Sequence, residues 1–220
     1  MKHLSAIAAS ALLSVFFSAT AFAGTTPGRV EFEVLRGGQP FGRQSVTVSE
    51  RNGSLIAETS ATLHAGLGPI TLFHYTQRCT ETWREGALSD LDCVTRRNGR
   101  TTSVAGARAG DALRMRGTAG AQRFVAATLP TSWWTRPPLA TRLMINTENG
   151  ARLQVHVSFI GRETIVANGR RIGADHIRVE GTLPVDLWYD DAGHWVGCAF
   201  STQGQHMTYR LLTTPAQGPS

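Results

Sequence analysis

The side chains best suited to acid–base chemistry are spread along the chain. His74, Glu81 and Asp186 are the strongest candidates for a hydrolase that acts on an envelope component. Such a reaction needs an imidazole or a pair of carboxyls within reach of one substrate bond. The sequence has no G-x-S-x-G elbow and no H-E-x-x-H pair. We therefore assign no catalytic residue and favour a role other than catalysis, with the hydrolase kept as an alternative.

The sequence also offers no pattern for a metal or a cofactor. The acidic pair in Asp190-Asp191-Ala192-Gly193 is typical of a turn, because Asp and Gly fit turn dihedrals. A calcium loop would need alternating oxygen ligands and a distal bidentate Glu, which do not follow this pair. We expect neither a metal site nor a cofactor.

The three cysteines allow one disulfide. Cys79 and Cys93 lie on the two arms of a predicted hairpin that turns at Glu85-Gly86. A three-residue loop places these cysteines directly opposite each other, whereas a two-residue loop shifts the register by one and separates them. The spacing permits a Cys79–Cys93 bond without requiring it, and this pairing would leave Cys198 free in an apolar, buried setting.

Aromatic side chains are the best candidates for contacting a ligand. We predict that an apolar pocket is lined by six of them: Trp133, Trp134, Trp83, Trp188, Phe73 and Phe159. The alternative is that they fill the core of a curled sheet. Neighbours such as Trp133 and Trp134 point to opposite faces of an extended segment, so one of the two would be partly exposed or packed beneath a lid.

The pattern of alternation predicts a mainly β protein. About a dozen runs of alternating apolar and polar residues are separated by turns such as Asn52-Gly53, Asn98-Gly99 and Asn168-Gly169. Residues 128–144 interrupt the series with tryptophans set between prolines, which predicts a loop with short helical turns lying across the sheet. Such an antiparallel meander must curl or fold over to bury one face.

The first 23 residues predict export. Lys2 precedes an apolar run that ends in Ala21-Phe22-Ala23, a small-x-small cleavage site. We expect a periplasmic or secreted protein with a single β-rich domain over residues 24–212 and a flexible tail over 213–220. No later stretch is long and apolar enough for a membrane helix. The arginines responsible for the net charge of +6 are scattered, which argues against a nucleic-acid partner.

Several short motifs in a fixed order resemble an uncharacterised proteobacterial family of exported proteins, a domain of unknown function. The motifs occupy Gly38–Gly42, Phe73–Tyr75, Glu81–Leu88, Leu129–Trp134 and Asp186–Val196. In outline, that family is similar to the lipoprotein localisation factors. The resemblance implies an incomplete antiparallel barrel with a short helical or loop lid around 128–144 over an apolar cavity, and it carries no established activity.

Together these observations predict a binding or chaperone-like module for a lipid or other apolar ligand of the cell envelope. Trp133 and Trp134 would form the mouth, and arginines at the rim would contact acidic headgroups. A structural or interaction protein with a filled core, which recruits an envelope partner through its sheet edge, is the remaining alternative.

Overall fold

The computed structural model describes residues 28–67, 70–182, 184–202 and 204–213. The predicted signal peptide and the tail from residue 214 lie outside these ranges, whereas Thr213 ends the last strand. The described residues form sixteen strands: β1 Gly28–Arg36, β2 Gln39–Arg51, β3 Ser54–Leu67, β4 Ile70–Arg84, β5 Ala87–Arg97, β6 Arg100–Ala109, β7 Ala112–Gly117, β8 Gly120–Val125, β9 Leu129–Pro130, β10 Leu143–Ile145, β11 Arg152–Gln154, β12 His156–Ala167, β13 Arg170–Glu180, β14 Val185–Tyr189, β15 Trp195–Thr202 and β16 Gln205–Thr213.

Thirteen of these strands form one antiparallel sheet in the order β12-β13-β14-β15-β16-β1-β2-β3-β4-β5-β6-β7-β8. The chain therefore forms two meanders that meet where β16 pairs with β1. The sheet curls into a barrel. This barrel is incomplete because the end strands β8 and β12 do not pair with each other. This architecture confirms the predicted mainly β, antiparallel, incomplete barrel.

Alternation along the strands separates the two faces of the sheet. In β1, Val30, Phe32 and Val34 are buried, while Glu31 and Glu33 between them are only partly buried and pair with arginines. We call the face that carries the buried residues the concave face and the opposite one the outer face. Turns such as Asn52-Gly53 have both residues at positive φ, which matches the twist of tightly connected antiparallel strands.

In the β4–β5 hairpin the two cysteines lie opposite each other because of a bulge, not because of the loop length. Arg84 pairs with Ala87, so the loop has two residues rather than three. A bulge then leaves Ser89 as an extra residue between the pairs Trp83–Leu88 and Thr82–Asp90. The extra residue restores the register, so that Cys79 lies opposite Cys93 and the two form a disulfide. Cys198 is free and buried.

The segment around 128–144 differs from the prediction in one respect. It contains turns, bends and the short strands β9 and β10 instead of helical turns. Strands β9 and β10 are parallel, and β11 adds an antiparallel third strand. Arg152 of β11 donates hydrogen bonds to Gln122 and to the Arg123 carbonyl of β8. This small sheet therefore lies beside the open edge of the large one.

The apolar core fills most of the concave face. A main cluster joins side chains from both ends of the large sheet with residues of the lid, including Phe124, Met144 and Val157. A second, smaller cluster lies around Val34 and Met207. The predicted strands Leu153–Ile160 and Arg162–Ala167 are largely one strand, β12, which contains a bulge at Ile160.

Candidate ligand-binding site

The centre of the concave face holds a buried carboxyl. Glu81 of β4 is fully buried, and its Oε2 accepts hydrogen bonds from the indole N–H groups of Trp83 at 2.9 Å and Trp134 at 3.0 Å. The two indole rings meet edge to face with centroids 5.5 Å apart. Trp83 belongs to the same strand as Glu81, whereas Trp134 comes from the lid. Glu81 therefore joins the lid to the sheet.

Burial and hydrogen bonding act in opposite directions on Glu81. Burial raises the pKa of its carboxyl above the ordinary value of 4.5. The hydrogen bond from Trp134, the nearby Ser132 hydroxyl and the hydrogen bond from Trp83 oppose this rise without cancelling it. Oε1 and the Ser132 hydroxyl oxygen are buried, and neither has a well-aligned partner among the described residues. In the acid form Oε1 carries a proton and can donate it to the Ser132 hydroxyl oxygen, so that both atoms gain a hydrogen-bond partner.

Residues 131–136, which we call the strap, cross the concave face and are attached on both sides. Trp134 is bound to Glu81 of β4, as above. The Tyr189 hydroxyl of β14 donates to the Trp133 carbonyl at 2.8 Å, and Arg136 Nη1 is 2.7 Å from Asp175 Oδ2 of β13. Six strands lie between β4 and β13 in the order of the sheet. The strap therefore links its two halves.

One end of the concave face is less completely covered. We call its aromatic residues, Phe41, Phe73, Tyr75, Phe200 and Tyr209, the aromatic end. They pack around the second apolar cluster, and all except Phe41 remain partly exposed. The Phe41 and Phe73 rings stack at 5.4 Å. This is the described part of the concave face at which aromatic surface reaches solvent.

Two arginines border the aromatic end. The Arg36 guanidinium lies 5.6 Å from the Phe41 ring centroid and that of Arg97 lies 5.4 Å from the Tyr75 centroid. The Tyr75 hydroxyl donates to Glu148 at 3.1 Å, and Arg97 pairs with the same carboxylate at 2.8 Å. Burial, together with the negative charge of Glu148, raises the pKa of Tyr75 and keeps the phenol neutral.

The six predicted ligand-contacting aromatics do not share one pocket. Trp83, Trp133 and Trp134 gather at Glu81 and the strap, and Trp134 is only 7% exposed. It therefore packs in the core and does not form a rim, contrary to the predicted mouth.

The remaining three predicted aromatics lie in separate places. Phe73 belongs to the aromatic end, and Phe159 on β12 is 48% exposed. Trp188 lies on the outer face of β14, where its ring stacks on His176 at 4.7 Å. Sequence alternation separates neighbours such as Trp188 and Tyr189 by face, but it does not show which of the two enters the core.

The three candidate catalytic residues also remain apart. Glu81 faces the concave side, whereas alternation with the buried Val185 and Leu187 turns Asp186 to the outer side. His74 is exposed next to the concave-facing Tyr75. Because two of the three lie on opposite faces of the sheet, they cannot act on one substrate bond, and the hydrolase based on these residues is wrong.

A polar network on the outer face was missed by the sequence reasoning. Both ring nitrogens of His176 lie 2.7 Å from carboxylate oxygens, one of Glu163 and one of Asp186. Trp188 donates to Glu163 and Arg178 donates to Asp186. The sequence shows only that His176 and Arg178 are two residues apart, as are Asp186 and Trp188, so that each pair lies on one face of its strand. Which side chains they contact on neighbouring strands depends on strand register.

The network lowers the pKa values of both carboxyls. The hydrogen bond from Trp188, followed by that from His176, lowers the pKa of Glu163. Partial burial raises the pKa of Asp186, but hydrogen bonds from Arg178 and His176 outweigh burial and bring it below its usual value. Both carboxylates thus stay ionised at neutral pH, and the network pins β12, β13 and β14 together.

No group of three or more His, Cys, Asp or Glu side chains in the described ranges is arranged to hold a metal ion. Likewise, the described part of the chain contains no helix with the length and apolar character to cross a membrane.

The fold defines a mainly β protein with an incomplete, antiparallel barrel. The chain belongs to the family of DUF6134, a domain of unknown function, whose model matches residues 32–212. This match confirms the resemblance to an uncharacterised family. A comparison with curated proteins finds no match.

A similar fold occurs in a solved structure. The crystal structure of a beta-barrel-like protein of the domain of unknown function DUF1849 from Brucella abortus superposes with a TM-score of 0.59 and 8% sequence identity. The alignment covers 84% of this chain and 95% of that one. At this identity the likeness concerns the fold alone, and it agrees with the barrel-like architecture described above.

Proposed function

We propose that the protein is an exported binding module of the cell envelope, which holds a lipid or other apolar ligand at the aromatic end. The single observation that carries the proposal is that four aromatic residues there, Phe73, Tyr75, Phe200 and Tyr209, are only partly buried. Partly exposed aromatic surface on a concave face is typical of ligand sites. Export is part of the proposal and is supported by the leader pattern and by the disulfide, which requires an oxidising compartment.

The charges at the aromatic end favour a ligand with an acidic headgroup. Arg36 lies over the Phe41 ring and Arg97 over the Tyr75 ring. Among the described residues, the carboxylate in contact with this end is that of Glu148, which is already bound by Arg97 and Tyr75. Arginine binds carboxylate and phosphate groups through paired N–H donors. An anionic amphiphile could therefore lay its apolar part on the rings and its headgroup beside the guanidinium groups.

Binding of a fluorescent fatty acid, dansylaminoundecanoic acid, tests this site. Phe73→Ala removes an exposed ring from the aromatic end, and the matched control Phe159→Ala removes a ring of the same type from β12. Burial of one phenylalanine contributes about 2 kcal/mol. We expect Phe73→Ala to raise the Kd by roughly tenfold or more and Phe159→Ala to leave it unchanged. Equal affinity in all three proteins, or no binding to the wild type, would contradict the site.

A second function is favoured by a different observation. The middle of the concave face is filled, since Trp83, Tyr189 and Trp195 are each no more than 2% exposed. The edge strand β12, which pairs only with β13 in the described sheet, also exposes Phe159 and Val166. These features suit an interaction protein that adds a partner strand at its edge. For that function, Phe159→Ala would weaken capture of the envelope partner while Phe73→Ala would not.

A further inference from the structure

Titratable side chains of the large sheet attach the strap at three places, those of Asp175, Tyr189 and Glu81, and they respond differently to pH. Arg136 lowers the pKa of Asp175, mainly through their hydrogen bond, so this ion pair persists throughout the neutral range. Burial raises the pKa of Tyr189 well above its ordinary value, so its hydroxyl remains a donor. Only the attachment of Trp134 to Glu81 involves a group whose pKa is raised from the acid range toward neutral pH.

Among the described residues, the groups around Glu81 offer a negative charge only two indole hydrogen bonds and a hydroxyl. Its cross-strand partners are Ala57 on β3 and Leu91 on β5. The groups that influence its titration are Trp134, Ser132 and Trp83, and no charged side chain of the described residues is among them. Ionisation would thus leave a buried carboxylate without a counterion, which is costly in an apolar interior.

The strap itself is under backbone strain. Trp133 has φ 66°, a left-handed conformation that is unfavourable for a bulky side chain with a Cβ atom. The Tyr189 hydroxyl binds the carbonyl of Trp133 itself, and the next residue, Trp134, is bound to Glu81. Weakening one of them allows the strained residue to relax.

We propose that the protonated Glu81 is a latch that holds the strap across the concave face, and that loss of its proton releases residues 131–136 from β4. Trp134 and Ser132 leave together because both contact the same carboxyl. Release uncovers apolar surface of the main core around Trp83. The latch operates whether or not a ligand binds at the aromatic end, so its test is independent of the proposed function.

Hydrogen–deuterium exchange of the mature protein between pH 5 and 9 tests the latch. Rates in the peptide that contains the strap are corrected for the intrinsic effect of pH and compared with those in β4 and β5. The opening constant of the strap is expected to rise about tenfold per pH unit above 4.5 and to level off above the pKa of the latched carboxyl. Amides of β4 and β5 should stay protected.

Variants make the assignment specific to Glu81. Glu81→Gln keeps an acceptor for both indoles and should abolish the pH dependence. The control Glu163→Gln alters a carboxylate that also accepts an indole N–H, but on the outer face, and should preserve it. If Glu81→Gln does not fold, Trp134→Phe replaces it and should raise strap opening at pH 5. A strap with no pH dependence, the same dependence in Glu81→Gln, or parallel loss of protection in β4 and β5 would overturn the latch.

Discussion

At the scale of single residues, Glu81 has the least expected environment. Burial of a carboxyl beneath two indoles is costly when it is ionised and tolerable when it is neutral, and the structure supplies donors for one oxygen only. The sequence around Glu81 does not predict the burial of its carboxyl, because a polar residue in a strand is normally assigned to the solvent-facing side. Its role depends on Trp134, which lies 53 residues further along the chain.

Glu81 makes stability depend on pH in a defined direction. Its folded-state pKa lies above the ordinary value of 4.5, so its contribution is full below pH 4.5 and is lost as pH rises through the folded-state pKa. Glu81→Gln removes this loss while it keeps an acceptor for the indoles. We expect the variant to match the wild type near pH 4 and to exceed it at pH 8, by about 1.4 kcal/mol for each unit by which the pKa is raised.

Urea unfolding of both proteins between pH 4 and 8 measures this difference. Contributions from other carboxyls, such as Asp186, are common to both proteins and cancel. A stability difference that is the same at every pH would show that Glu81 titrates normally in the folded protein.

At the scale of elements, the hairpin of β4 and β5 shows what the sequence can and cannot predict. The strands, the Glu85-Gly86 turn and the possibility of the disulfide follow from alternation and turn residues. The bulge at Ser89 does not, because one extra residue in a strand is fixed by how the hairpin packs and leaves little local signal. Of the two loop lengths that the sequence left open, the hairpin has the two-residue loop, and the bulge supplies the register that the three-residue loop would have given.

The lid shows the same limit. Prolines and tryptophans in residues 128–144 predicted an interruption of the sheet, and the structure has one there. The expected helical turns are instead short strands and turns, because β10 pairs with β9 and β11. Such pairing is non-local, so propensity alone could not predict it. The split of the predicted aromatics among four places has the same cause.

The Cys79–Cys93 disulfide should stabilise the hairpin and, through it, the site around Glu81. It closes a loop with a sequence separation of 14, for which chain entropy gives roughly 3 kcal/mol. Replacing both cysteines by alanine is expected to lower the Tm by about 6–12 °C. Scanning calorimetry measures this shift.

The control for the disulfide is Cys198→Ala, which keeps the bond. Burial raises the pKa of the Cys198 thiol, so it should not react with thiol reagents in the folded protein. A double variant as stable as the wild type would mean that the cross-link does not restrict the unfolded chain.

At the scale of the whole molecule, the open edge between β8 and β12 and the strap across the concave face belong together. A barrel that stays open keeps one concave face accessible from its margin, and the strap covers its centre while leaving the aromatic end partly exposed. The arginines at that end make this margin positively charged. A module of this shape can hold an apolar ligand without surrounding it completely.

The most direct test of this account is to produce the chain with its own leader, purify it from periplasm without detergent, extract it with organic solvent and analyse the extract by mass spectrometry. The account predicts a protein that begins at Gly24 and carries an anionic lipid or fatty acid in near-stoichiometric amount, which Phe73→Ala loses and Phe159→Ala retains. A stable mature protein that contains no lipid and takes up none when it is mixed with anionic lipid vesicles would contradict it.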